Sequence, residues 1–242
     1  MSATVEKAKA NWTGYWNQPG VADGFGGKET PEQNPKYYLE EKPILDLIPR
    51  CSSILDAGCG IGRYTQLVRS KCKIYVGVDY SEKMLEQARR NTPESTIAGT
   101  TITFVQGDLE TMDFGMKFDV GLLIAIIRHL PYEKGLVVLK HVANACKLLF
   151  FTATIIPEEK EVPMIVKGIP PNIILDHPFH LSDIKKTLNV NNLEAIPIGD
   201  RDPTEGARYL FKVGEEITQV YEPPKHKPWN RISTFRRAIK SA

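Results

Sequence analysis

Short apolar segments alternate with helix-like segments through the middle of the chain. The apolar segments, rich in Ile, Val, Leu and Phe, occupy residues 53–57, 74–78, 102–105, 118–124 and 147–152. Helical patterns fill residues 63–69, 81–90 and 131–145, whereas residues 107–117 are predicted to form a loop or a single turn. Strands separated by helical crossovers predict a parallel sheet covered on both faces. We therefore expect an α/β domain with a doubly wound sheet.

The two ends of the chain follow this rhythm less closely. Residues 1–42 are rich in Gly, Pro, Asn and aromatic side chains and predict an irregular arm, with a short helix near 37–47. A helix is predicted at 181–188 and strands at 196–198 and 209–213. The expected single domain comprises an arm or lid at 1–42, a core at 43–155, an insert at 156–190, late strands at 191–215 and a basic tail at 216–242.

Composition and charge narrow the class of protein. The chain has 242 residues, 42% of them hydrophobic, and a net charge of +2, too small to favour nucleic acid or a membrane surface. Its longest apolar run, 120–127, is far shorter than the roughly 18 residues of a membrane span. The N-terminus lacks a signal-peptide pattern, and the four cysteines have no zinc-binding spacing. We expect a cytoplasmic protein with reduced thiols and no metal site.

The most informative motif is a glycine-rich turn after the first predicted strand. Residues 54–63 read Ile-Leu-Asp-Ala-Gly-Cys-Gly-Ile-Gly-Arg. Glycines allow a sharp turn and let a ligand approach the backbone, because no Cβ stands in the way. Such a turn lies at the carboxyl edge of the sheet, where open α/β sheets bind ligands. The alternative interpretation is a tight strand-to-helix turn without any ligand.

Acidic residues at the same edge favour the ligand-binding interpretation. Asp56 precedes the glycines, Asp79 ends the second strand, and Asp108 follows the third. A carboxylate at the end of the second strand can accept both hydroxyls of a ribose, as in dinucleotide-binding folds. NAD itself is disfavoured, since Arg63 stands where its third glycine would fall.

Together these motifs resemble the class I S-adenosylmethionine (SAM)-dependent methyltransferases. The resemblance runs from about residue 54 to 131 and rests on the glycine turn, Val-Gly-Val-Asp at 76–79, Ser-Glu-Lys-Met at 81–84, Gly-Asp-Leu at 107–109, Phe-Asp-Val at 118–120 and His-Leu-Pro at 129–131. It implies a Rossmann-like, mostly parallel sheet of seven strands whose last strand is antiparallel. The implied cofactor is SAM.

The resemblance also implies which residues contact the cofactor. The turn would pass beneath the methionine part of SAM, with Asp56 near its amino group. Asp79 would hold the ribose hydroxyls, and Tyr80 or Met84 would pack on the adenine, although Met84 is equally well explained as core. The full implied set is Asp56, Gly58, Cys59, Gly60, Gly62, Asp79, Tyr80, Met84, Asp108, Leu109 and Ile124.

Methyl transfer to a nucleophilic O or N of a small-molecule acceptor is the function that the resemblance implies. Ala125 stands where relatives often have an acid, so no acid is available there to bind a cationic group. His129, His177 and His180 are candidates for a general base, but each is also explained as a loop histidine. RNA or protein methylation through the basic tail, and a catalytically silent SAM-fold subunit, stay open as alternatives, as does the oligomeric state.

Overall fold

The computed structural model describes residues 45–92, 96–97, 99–162, 165–169, 172–198 and 207–215. The arm expected at 1–42 and the basic tail expected at 216–242 lie outside the described residues. Of the helix expected near 37–47, residues 45–47 are described, and they are helical.

The described elements follow the expected alternation of strands and helices. The strands are β1 (Ser53–Ala57), β2 (Ile74–Asp79), β3 (Thr96–Ile97), β4 (Thr100–Gln106), β5 (Phe118–Leu123), β6 (Cys146–Ile156), β7 (Ile165–Ile169), β8 (Asn172–Asp176), β9 (Phe179–His180), β10 (Glu194–Pro197) and β11 (Ala207–Gly214). The helices are α1 (Thr65–Val68), α2 (Glu82–Asn91), α3 (Tyr132–Asn144) and α4 (Leu181–Leu188), with 3₁₀ turns at Arg69–Lys71 and Ile127–His129.

The main sheet has the strand order β10-β11-β6-β5-β1-β2-β4-β3, and β9 pairs with the end of β6. The central strands β4, β2, β1, β5 and β6 are parallel. Strand β11 lies antiparallel between β6 and β10. Apart from the two-residue strands β3 and β9, this is a sheet of seven strands whose last strand is antiparallel, which confirms the expected fold.

Alternation along the strands divides the core between the two faces of the sheet. Ile54 of β1 and Phe150 of β6 belong to one apolar cluster, and their neighbours Leu55 and Phe151 belong to the other. Because successive side chains of a strand point to opposite faces, strands that are apolar throughout need cover on both sides. All five residues of β1 are buried, as that arrangement requires.

The structure differs from the sequence predictions in several places, among them the strand expected at 196–198, which is β10 (Glu194–Pro197). The helix expected at 63–69 begins at Thr65 and continues past Val68 as the 3₁₀ turn, because Gly62 and its neighbours are used in the preceding turn. The hairpin of β7 and β8 was not predicted and forms a separate two-stranded sheet within the insert. The strand expected at 147–152 is β6, and it continues to Ile156. Among the described residues no helix has the length and apolarity to cross a membrane.

Candidate active site

Three loops meet at the carboxyl edge of the sheet and are joined by backbone hydrogen bonds. The N–H groups of Gly58 and Cys59 both donate to the carbonyl oxygen of Val78, at 2.7 and 2.9 Å. The N–H of Gly107, after β4, donates to the carbonyl oxygen of Asp79 at 3.0 Å. The turn after β1 and the loop after β4 are therefore both fixed to the end of β2.

Each glycine of the turn has a positive φ, but the surroundings of the three differ. The φ angles of Gly58, Gly60 and Gly62 are 79°, 53° and 73°. A Cβ on Gly58 would lie 2.3 Å from Cδ1 of Ile126, and one on Gly62 would lie 3.2 Å from Cβ of Ala88. A Cβ on Gly60 would meet no atom of the described residues within 4 Å. Packing therefore requires glycine at 58 and disfavours a side chain at 62, whereas no described residue fills the space at position 60.

Asp79 is oriented by two backbone donors. Its Oδ2 accepts from the N–H of Gly60 at 2.8 Å, and its Oδ1 accepts from the N–H of Ser81 at 2.9 Å. Burial raises the pKa of Asp79, while hydrogen bonds from the backbone of Ser81, Gly60 and Tyr80 act to lower it. A carboxylate offers about four lone-pair sites, so Asp79 keeps acceptor capacity beyond these bonds.

Asp56 lies deeper, with 2% of its surface exposed. Its Oδ2 accepts a hydrogen bond of 2.5 Å from the hydroxyl of Tyr75 on β2. Burial raises the pKa of Asp56 to about 7, although the Tyr75 hydrogen bond and the charge of Arg63 act to lower it. Asp56 thus lies within the core just behind the turn. Near neutral pH both the protonated and the ionised form of its carboxyl group are populated.

The adenine-side candidates fall into two groups. Tyr80 is 39% exposed and Asp108 is half-buried, its Oδ1 accepting from the N–H of Glu110 at 3.0 Å. Met84 is 3% exposed, which leaves Tyr80 as the more accessible of the two proposed adenine contacts. The remaining candidates pack into the core with little or partial exposure: Cys59, Leu109 and Ile124.

The chain leaves β5 through a constrained turn. Ala125 has a φ of 60°, a left-handed conformation that is uncommon for a residue other than glycine. Its N–H donates to Oγ1 of Thr152 on β6 at 2.7 Å. The turn that follows β5 is thereby fixed to β6.

The insert is attached to this turn by a buried ion pair that sequence reasoning missed. Nε and Nη2 of Arg128 donate to the two carboxylate oxygens of Asp176, each at 2.5 Å. The side chains are 18% and 8% exposed. The N–H of His177 also donates to the carbonyl oxygen of Arg128, at 2.7 Å. His129 ends the same 3₁₀ turn, so the structure brings His129 and His177 to one region.

His180 lies further along, where β9 pairs with the end of β6. Its Nε2 is 2.8 Å from the carbonyl oxygen of Lys160, and its Nδ1 is 3.8 Å from Oδ2 of Asp183. Tyr132 donates to the same Asp183 oxygen at 2.6 Å. Because a carbonyl oxygen only accepts, Nε2 of His180 carries a proton in this arrangement. His177 is 4% exposed, so of these two histidines His180 is nearer the surface.

Sequence reasoning also missed Tyr75 and Ile126 as neighbours of the site. Parallel pairing of β1 and β2 places Asp56 opposite Gly77, which brings Tyr75 diagonally beside Asp56. The register could have revealed that pair once the two strands were predicted to be neighbours. The pairing of Arg128 with Asp176 had no such signal, because 48 residues separate them.

Comparisons with known proteins agree with this geometry. Residues 54–148 match a family model described as a methyltransferase domain. The chain is 30% identical over 91 residues to magnesium-protoporphyrin O-methyltransferase of Synechocystis sp., covering 38% of this chain and 39% of that protein. It is 33% identical over 86 residues to dTDP-3-amino-3,4,6-trideoxy-alpha-D-glucopyranose N,N-dimethyltransferase of Streptomyces venezuelae, covering 34% and 33%. The matches to these curated relatives thus span less than half of their length.

Similarity of fold extends over most of the chain. A crystal structure of magnesium protoporphyrin IX methyltransferase from Synechocystis PCC 6803 with bound SAM superimposes with a TM-score of 0.60 at 18% identity, covering 88% of this chain and 98% of that one. The family model covers the glycine turn and both following acids, and the sheet is mostly parallel with an antiparallel last strand, as the resemblance implied. Residues 54–148 therefore match a methyltransferase domain, and the fold is that of the class I SAM-dependent methyltransferases.

Proposed function

We propose that this protein transfers the methyl group of SAM to a nucleophilic O or N of a small-molecule acceptor. The observation that carries the proposal is the space that the described residues leave open at Gly60, whose N–H donates to the carboxylate of Asp79. Two named relatives act on small molecules, one at oxygen and one at nitrogen. Their names leave the acceptor atom in this chain open between those two elements.

The residues at the edge of the sheet fit this cofactor. At Gly60 the backbone can be approached closely, since no described residue occupies the surroundings of the position that a Cβ would take. Asp79 is held by two N–H groups and keeps acceptor capacity for vicinal hydroxyls. Tyr80 offers an exposed aromatic surface for a purine, and Asp108 offers an acceptor for an exocyclic amino group. We assign these four residues to nucleoside and methionine recognition.

Bound SAM would supply a methyl group already activated on a sulfonium. The work left to the chain is alignment of the acceptor, exclusion of water and, for a hydroxyl or ammonium acceptor, removal of a proton. The 3₁₀ turn after β5 and the insert bring His129 and His177 beside this edge, and His180 lies further along it. We assign the acceptor side to this region.

The test follows methyl label from SAM into three fractions of a cell extract: small molecules passed through an ultrafilter, RNA, and protein. We expect transfer into the small-molecule fraction by the wild-type protein and loss of that transfer in Gly60→Ala. Label that enters RNA or protein instead would contradict the small-molecule acceptor. Failure of the wild-type protein to bind SAM or S-adenosylhomocysteine (SAH) would overturn the function itself.

A further inference from the structure

The segment between β5 and α3 contacts the glycine turn on one side and the insert on the other. Ile126 covers Gly58, where a Cβ would lie 2.3 Å from Cδ1 of Ile126. Two residues further on, Arg128 forms its two hydrogen bonds with Asp176 at the end of β8. One short stretch of backbone therefore joins the proposed cofactor site to the proposed acceptor side.

This connecting turn is internally braced. The N–H of His129 donates to the carbonyl oxygen of Ile126 at 3.0 Å, and the N–H of Leu130 donates to that of Ile127 at 3.1 Å. Ala125, at its start, is fixed to Thr152 by a bond of 2.7 Å. A turn closed by its own hydrogen bonds tends to shift as a unit, so a displacement of Ile126 would carry Arg128 with it.

The insert depends on this turn for its placement. The chain leaves β6 at Ile156, forms the β7–β8 hairpin apart from the main sheet, and returns to β6 only at β9. The hairpin ends at Asp176, where the ion pair holds it. The following Phe179 stacks on Tyr132 with ring centroids 4.9 Å apart. The ion pair and the hydrogen bond from the N–H of His177 to the carbonyl oxygen of Arg128 are thus directional contacts at the root of the hairpin, beside an apolar one.

We propose that Arg128 is a positioning residue, which through Asp176 holds the insert in register with the cofactor turn. The proposal rests on the proposed function, because it assigns the acceptor to the insert. The two ends of the guanidinium fork bind both carboxylate oxygens, which fixes orientation as well as distance. A lysine at position 128 would keep the charge but could not reproduce this planar, two-point contact.

The experiment measures hydrogen–deuterium exchange of the backbone amides of residues 172–180, without ligand and with saturating SAH. The variants are Arg128→Met, Arg128→Lys and, as control, Lys147→Met. Lys147 pairs with Asp119 at 2.8 Å at the opposite edge of the sheet, so its loss removes an ion pair in which no residue of 172–180 takes part. In Arg128→Lys a positive charge still compensates the carboxylate of Asp176. This variant therefore tests the proposal even if Arg128→Met does not fold.

In the wild-type protein we expect SAH to slow exchange at 172–180. Without ligand, Arg128→Met should exchange there about a hundredfold faster, as expected when a buried ion pair loses one partner. Arg128→Lys should fold and bind SAH, yet lose the SAH-dependent protection, whereas Lys147→Met should keep it. SAH-dependent protection that persists in both Arg128 variants, or that is missing from a wild-type protein that binds SAH, would overturn the proposal. No SAH binding to wild type would overturn the proposed function, and the proposed coupling with it.

Discussion

The carboxylate of Asp79 accepts the backbone N–H of Gly60 at 2.8 Å, across 19 residues of sequence. The bond joins the end of β2 to the one glycine of the turn at which an added Cβ would meet no other atom of the described residues. The acid is therefore already held against this part of the turn. Pre-oriented acceptors lower the cost of ordering a site when ligand binds.

Replacing Asp79 by alanine should weaken SAH binding. A lost charge-assisted hydrogen bond is worth about 1.5–3 kcal/mol, or roughly a 10- to 150-fold increase in Kd, measurable by titration calorimetry. Asp113→Ala is the matched control, because Oδ1 of Asp113 likewise accepts from the N–H two residues further on, at 2.8 Å. Equal affinity in Asp79→Ala and Asp113→Ala would show that Asp79 does not contact the ligand.

A second comparison separates backbone strain from ligand contact. Gly60 and Gly115 have φ angles of 53° and 69°, and at neither would a Cβ meet another atom of the described residues within 4 Å. Alanine at either position should destabilise the fold by about 1 kcal/mol, because both adopt left-handed backbone. Only Gly60→Ala should also weaken SAH binding. Equal SAH affinities in the two variants would contradict a ligand at Gly60.

The sequence could predict these parts of the site because they are local. An apolar strand, a glycine turn and acids at strand ends are all read within a few residues, and a parallel sheet brings such ends to one edge. The pairing of Arg128 with Asp176 depends on how the chain folds between two residues that are 48 positions apart. No periodic pattern in the sequence indicates that path. The sequence does contain one signal for the β7–β8 hairpin. A Pro-Pro pair stands at 170–171 between two aliphatic runs, and such a pair is typical of a turn.

Asp56 should make stability depend on pH. Its folded pKa of about 7 lies above the ordinary value of 3.8, so the folded state binds more protons than the unfolded state between these values. The contribution of Asp56 is therefore fully present below about pH 4 and is lost as the pH rises towards 7, by at most about 1.4 kcal/mol per pH unit.

The measurement compares urea unfolding of wild type and Asp56→Asn at pH 5 and pH 8. We expect wild type to lose stability relative to the variant as the pH rises, since asparagine does not titrate. Tyr75→Phe removes a hydrogen bond that lowers the pKa of Asp56, so it should move the window to higher pH. Parallel stability profiles for wild type and Asp56→Asn would contradict the raised pKa.

The three candidate histidines should differ in how their loss affects turnover. A general base contributes about 100- to 10,000-fold, so its replacement by alanine should lower the rate of label transfer on that scale while SAH affinity stays unchanged. His180→Ala should have a smaller effect, because its Nε2 donates to the carbonyl oxygen of Lys160 and its Nδ1 faces Asp183, so both nitrogens are directed at protein groups. The large effect is therefore expected at His129 or His177.

The control for these variants is His141 of α3, whose Nε2 lies 2.8 Å from the carbonyl oxygen of Met112. Wild-type rates in all three alanine variants would mean that no histidine removes a proton, and would favour an acceptor that is already nucleophilic at neutral pH.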